Sequence, residues 1–230
     1  MVASKYVISA AHCFWNDING DEIVDFLRPA DDISIRIGDH NLDVEGEEKI
    51  TPKTVNVVRL TLHPNYNKDD LRDGYDIAIL ELEEELDLSV YTPACMARSS
   101  DATTFDGKTA TVAGWGRIEE NDPDSNSATL QHVDIPVVSQ ERCQDLFASF
   151  ISSLSPSIIC AGGEEGKDSC LVLTDSPKFE VNKHVQGDSG GPLTVMQNSQ
   201  HVLIGDVSFG VQSAINPLGC GVVSKNWCQV

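Results

Sequence analysis

GDSGGP, residues 187–192, is the stretch on which the reading of this 230-residue chain turns. It sets a serine between glycines. A serine hydroxyl is a poor nucleophile at neutral pH unless a neighbouring base takes its proton and a third group orients that base. It also needs donors for the oxyanion that its attack creates. Glycines let the backbone turn tightly enough for the Gly187 and Ser189 N–H groups to point at one spot. Taken alone, the stretch favours a nucleophile loop over the alternative of a glycine-rich turn holding an ordinary serine.

Two stretches upstream supply what such a serine would need. Ala10-Ala11-His12-Cys13 follows a short strand-like run, Tyr6 to Ser9. Asp76-Ile77-Ala78-Ile79-Leu80 sets an aspartate at the head of an apolar strand. Either alone would pass as structural, the one a histidine beside a cysteine and the other a turn aspartate. Histidine, aspartate and serine together are the parts of a base-activated nucleophile.

The rest of the chain reads as all-β. Its apolar runs are short, rich in β-branched residues and punctuated by Gly, Pro, Asn and Asp. Expected strands are Ser34–Ile37, Thr54–Leu62, Asp76–Leu82, Thr109–Trp115, Leu130–Val138 and His201–Val207. One helix is expected, Ser139 to Ile151, with Ser139 as N-cap and Glu141 in its first turn. Thr92–Lys108 is the least patterned long connection and divides the chain into halves 1–100 and 101–230.

Composition narrows the partners. The formal net charge is −20, the wrong sign for phosphate backbones or an anionic lipid surface. Neither a nucleic-acid nor a membrane partner is expected, and acidic runs such as Glu81–Asp87 read as solvated surface. No apolar run is long enough to span a bilayer, and Met1–Ile8 is too short and mixed for a signal peptide. The seven cysteines form no CxxC pair, which argues against a zinc site and for an oxidising compartment. An odd count leaves at least one cysteine free or paired outside the chain. A monomer is expected.

In the order His12, Asp76, Ser189, and with Gly38-Asp39-His40-Asn41-Leu42, Gly114-Trp115-Gly116, Cys160-Ala161-Gly162-Gly163 and Val207-Ser208-Phe209-Gly210 in between and beyond, the chain resembles the chymotrypsin-like (trypsin-like) serine proteases from about Lys5 to Gly221. The resemblance implies two antiparallel β-barrels with a cleft between them. It implies a secreted endopeptidase acting on a protein or peptide substrate with no required cofactor. His12 would be general base and then acid, Asp76 its orienting partner, Ser189 the nucleophile, and the Gly187 and Ser189 N–H groups the oxyanion hole. Asp168 matches a pocket-floor aspartate that favours Arg or Lys before the cleaved bond, and Ser208 to Gly210 a pocket wall that binds substrate as a strand. The resemblance also implies disulfides Cys143–Cys160 and Cys170–Cys220. Cys13 would pair with an upstream cysteine, and Cys95 matches one that tethers a pro-region in some members. Asp39, Glu45 and Glu48 fall in a stretch like the trypsin calcium loop, but it is shorter than that pattern, and a plain acidic surface loop is the favoured reading over a calcium site.

Three departures bear on whether the site works. Only eleven residues precede His12, where the family carries several strands and a cleavable N-terminus whose amino group pairs with the aspartate that is Asp188 here. The expectation is an open first barrel and an Asp188 loop turned outward, because a buried unpaired carboxylate is costly. Leu171 to Val185 is inserted between Cys170 and Gln186. It would either bulge out as a hairpin or pull Asp168 away from the oxyanion loop, and a shifted exon boundary would give the same pattern. Beyond Gly221 the family's final strand and C-terminal helix are not recognisable. A non-catalytic homologue that binds a peptide or a protease is the competing class.

Overall fold

The computed structural model describes residues 1–16, 26–46, 48–98, 105–118, 122, 124–148, 153–162, 188–210 and 220–225. Nearly all of the regular structure is strand, in two main sheets and one small ribbon. The first sheet joins β1 (Tyr6–Ser9), β4 (Ser34–Ile37), β5 (Lys53–Leu62) and β6 (Ala78–Leu82) in the order β1-β6-β5-β4, all antiparallel. The ribbon pairs β2 (Trp15–Asn16) with β3 (Phe26–Leu27).

The pattern of burial explains these strands. In β5, Val55 and Val57 are buried while Thr54, Asn56 and Val58 face solvent, the period of two expected of a half-covered strand. β6 answers with Ala78, Leu80 and Leu82 on the same core, together with Phe14, Ile33 and Leu86. Each of the larger apolar side chains contributes about 1.5–3 kcal/mol by leaving water.

The second sheet contains β7 (Cys95–Met96), β8 (Thr109–Gly114), β9 (Gln131–Val138), β10 (Ile158–Gly162), β11 (Pro192–Gln197), β12 (Gln200–Gly210) and β13 (Cys220–Lys225). Because β11 pairs with both β8 and β12, strands β11, β8, β9, β10, β13 and β12 close into a ring. β7 adds outside it, parallel to β12. Closure removes the sheet edges, and Phe105, Val112, Ile135, Leu193 and Val207 fill the interior. β10 is buried throughout because it is covered on two sides. Ile159 and Ala161 join the barrel core, while Ile158 and Cys160 face a cluster with Cys143, Phe147 and Phe209.

The helix α1 (Gln140–Phe147) starts where expected. Ser139 is its N-cap, and the Arg142 N–H donates to the Ser139 hydroxyl at 3.2 Å. Residues 149–152 lie outside the described residues. The disulfide Cys143–Cys160 ties α1 to β10. Among the described residues no helix is long and apolar enough to cross a membrane. The strand expected from Asp76 starts two residues late. Asp76 and Ile77 stand before β6 rather than in it, since a left-handed Tyr75 (φ 60°) turns the chain out of the ladder.

Candidate active site

His12 lies in the short 3₁₀ turn Ala11–Phe14 that follows β1. Ala10 and Ala11 are fully buried, and nothing larger would seat the turn as closely on the first core. Asp76 follows another 3₁₀ turn, Leu71–Asp73, and is itself fully buried. Its carboxylate is spent on three donors. Oδ1 accepts the backbone N–H of His12 at 2.8 Å, and Oδ2 faces His12 Nδ1 at 2.6 Å. Oδ2 also accepts the Ser208 hydroxyl, from β12, at 2.5 Å.

A carboxylate so placed fixes the ring's orientation and puts the proton on Nδ1, leaving Nε2 as the nitrogen able to accept one. Burial disfavours the imidazolium, but the Asp76 hydrogen bond and charge, with a smaller contribution from Cys13, outweigh it and raise the His12 pKa above its ordinary value. The half-buried Cys13 is a free thiol with its sulfur 3.7 Å from Nε2.

Ser189 lies in the turn that leads into β11. That turn is held from both sides. The Gly190 N–H donates to Val207 O at 2.8 Å, the Gly191 N–H to Asp188 O at 2.8 Å, and the Val207 N–H to Gly191 O at 2.9 Å. Gly190 has φ of 77°, and a Cβ there would collide with Ser9 Oγ and stand 3.1 Å from Ala10 N. The serine's turn is therefore pressed against the two residues before the His12 turn. The structure joins His12, Asp76 and Ser208 by direct hydrogen bonds and sets the Ser189 turn beside them.

Asp188 corrects one expectation. Its carboxylate is not turned outward. It is folded in against the end of β8, where Gly116 N–H donates to Oδ1 at 2.9 Å and the missing side chains of Gly114 and Gly116 make the room. Burial raises its pKa, with the Gly116 hydrogen bond opposing.

The Ser208 hydroxyl, expected beside the substrate pocket, is buried and donates to Asp76, so it also contributes to holding the carboxylate. The one signal for this in the sequence is a hydroxyl set between apolar neighbours in Val207-Ser208-Phe209. Asp168, Gly187, Cys170 and the insertion 171–185 lie outside the described residues, and Gly210 and Cys220 are described only as strand backbone in β12 and β13. Cys95 is exposed and free, its sulfur 3.9 Å from the Gln200 side-chain oxygen.

The acidic loop after β4 is partly what a cation would need. Asp39 Oδ1 and Glu48 Oε2 are buried without hydrogen-bond partners. Arg36 pairs with the other oxygen of Asp39, and Glu48 Oε1 accepts the His40 N–H at 3.4 Å. Glu45, however, is exposed, and no three acidic, His or Cys side chains gather to hold a metal among the described residues.

The family model described as Trypsin matches residues 1–226. The chain is 28% identical over 225 residues to chymotrypsin-like elastase family member 1 of Bos taurus, covering 98% of this chain and 70% of that protein. It is 34% identical over 216 residues to a venom protease of Bombus pensylvanicus, covering 92% and 74%. It is 30% identical over 220 residues to CLIP domain-containing serine protease B9 of Anopheles gambiae, covering 91% of this chain but 48% of that protein.

Proposed function

The chain belongs to the trypsin family of serine proteases, and on that footing we propose that it hydrolyses peptide bonds with His12, Asp76 and Ser189 acting as one unit. Ser189 Oγ attacks the carbonyl carbon while its proton passes to His12 Nε2. The Gly187 and Ser189 N–H groups hold the oxyanion. The C–N bond then breaks, His12 returns the proton to the departing amine, and an acyl-enzyme ester remains. Water, deprotonated by His12, attacks the ester, releases the acid and restores Ser189. Asp76 stabilises the imidazolium in both halves of the cycle. The observation that carries this reading is the Asp76 carboxylate, buried and engaged with both the ring and the backbone of His12.

The preference for Arg or Lys before the cleaved bond rests on Asp168 alone, an anion matched to a cationic side chain. A secreted, extracellular setting is favoured by the Cys143–Cys160 disulfide. Asp39 and Glu48 would hold a calcium ion, whose contribution is to tie down the acidic loop. Their two buried oxygens suit a hard cation.

A fluorophosphonate probe tests the chemistry. Folded protein should label, and Ser189→Ala should not. Folded protein that stays unlabelled would leave the chain as a non-catalytic homologue. For specificity, Asp168→Ser should reduce cleavage after Arg far more than cleavage after Leu, and equal losses would remove Asp168 from that role.

A further inference from the structure

Asp76 is preceded by two residues with left-handed backbone, Gly74 (φ 75°) and Tyr75 (φ 60°). Glycine adopts that region freely, but a tyrosine there is strained by about 1 kcal/mol or more and persists only where its surroundings dictate it. Three contacts do so. The Tyr75 N–H donates to Ser157 Oγ at 3.1 Å, across 82 residues of sequence. The Ser157 hydroxyl fills the space that a Gly74 side chain would take. The Tyr75 ring stacks on His63 with centroids 4.7 Å apart.

Ser157 is itself buried and held. Its Oγ lies 2.8 Å from Ser155 Oγ, and its own N–H reaches Ser155 Oγ at 3.4 Å. The Ser155 carbonyl accepts the Ile158 N–H at 3.0 Å and the Gln140 side chain at 3.3 Å, which ties the serine pair to β10 and α1. The Asp76 carboxylate is thus fixed from the second half of the molecule at two points, its oxygen by Ser208 and its backbone approach by Ser157.

We propose that Ser157, backed by Ser155, is a positioning residue for the reaction, holding the left-handed Gly74–Tyr75 turn that aims the Asp76 carboxylate at His12. The direction in which Asp76 leaves the chain is set by the peptide it shares with Tyr75. Removing the Ser157 hydroxyl takes the acceptor from the half-buried Tyr75 N–H and opens a gap beside Gly74. The turn can then relax toward right-handed backbone, and the carboxylate loses its aim at Nδ1. This inference rests on the reading of His12 and Asp76 as a catalytic pair, and its test does not depend on turnover.

The test compares the wild-type chain with Ser157→Ala and Ser157→Thr. Nitrogen NMR of isotopically labelled histidine reads whether His12 Nδ1 stays protonated and hydrogen-bonded. Cleavage of a peptide amide is measured alongside. Ser157→Ala should shift the Nδ1 signal away from its wild-type position and lower kcat roughly 10-fold with KM nearly unchanged. Ser157→Thr, which keeps the hydroxyl, should restore both. An unshifted Nδ1 signal in folded Ser157→Ala, or a Thr variant that matches Ala, would overturn the proposal. If Ser157→Ala does not fold, Ser155→Ala should give the same shift in smaller measure, and an unshifted signal there would be equally decisive. A wild-type chain that cleaves nothing would refute the proposed function, while the NMR arm would still decide the role of Ser157.

Discussion

The two halves of this molecule hold their site residues in opposite ways. The second sheet closes into a ring, is tied to its helix by Cys143–Cys160, and carries the Ser189 turn on backbone hydrogen bonds to β12. The first sheet is a four-stranded layer whose β1 and β4 have no strand beyond them among the described residues. His12 and Asp76 sit on its connections rather than in its ladder. Much of what fixes them comes from the other half, through Ser208, Ser157 and the contact of Gly190 with Ser9 and Ala10. A closed barrel can place a loop by itself, whereas an open sheet leaves its connections to be placed by what they lean on.

Gly190 is where that dependence should break most visibly. Gly190→Ala combines a backbone angle that L residues avoid with a clash against Ser9 and the Ala10 backbone. The Ser189 turn and the His12 turn must then separate. Displacements of about 1 Å in such sites cost on the order of 100-fold in rate, so the fluorophosphonate labelling rate should fall by about that factor. Gly107→Ala is the control. Gly107 has a similar φ of 72° but nothing within 4 Å of the added carbon. It should cost about 1 kcal/mol in stability and leave labelling unchanged. Equal labelling in both variants would mean that the halves do not position one another.

The sequence made the strands visible because each is a short β-branched run with turn residues at its ends, and β4 falls on Ser34–Ile37 as expected. The His12, Asp76 and Ser189 stretches were legible because three separate patterns had to occur in one order. What could not be read was pairing through space. Nothing in Pro192–Gln197 says that it bonds to β8 on one side and β12 on the other. Ser208 and Ser157 are ordinary small polar residues in apolar surroundings, and their partners lie 132 and 82 positions away. The expectation for Asp188 failed for a local reason. Two glycines and a backbone N–H at the end of β8 make a niche that admits a carboxylate inward, and a charge argument alone does not reveal a niche.

Calcium should act on the open half. Two carboxylates suit an affinity on the order of 1 mM. A several-fold excess would then stabilise the fold by about 1 kcal/mol. The melting temperature should rise by roughly 2–4 °C with millimolar calcium and fall back with chelator. In Glu48→Gln, which keeps an acceptor for the His40 N–H, the response should vanish. A calcium response that survives Glu48→Gln would locate the ion elsewhere, and no response in the wild type would leave the loop as plain acidic surface.

The smallest effect expected separates the halves by pH. Both His12 and Asp188 have raised pKa values, for opposite reasons. For His12 the charged form is the one favoured in the fold. Its contribution is complete below the ordinary imidazole pKa of about 6.5 and is lost as pH rises through the raised value. For Asp188 the charged form is the one disfavoured. The fold is relieved of that burden below the ordinary carboxyl pKa of about 3.9, and the burden grows as pH rises from there through the raised value. Asp188→Asn keeps an oxygen for the Gly116 N–H and removes the charge. It should therefore melt roughly 1–3 °C above the wild type at neutral pH and together with it near pH 3. If Asp188→Asn is no more stable than the wild type at neutral pH, the carboxylate has a cationic partner in solution, and the Asp188 turn is held by charge as firmly as His12 is.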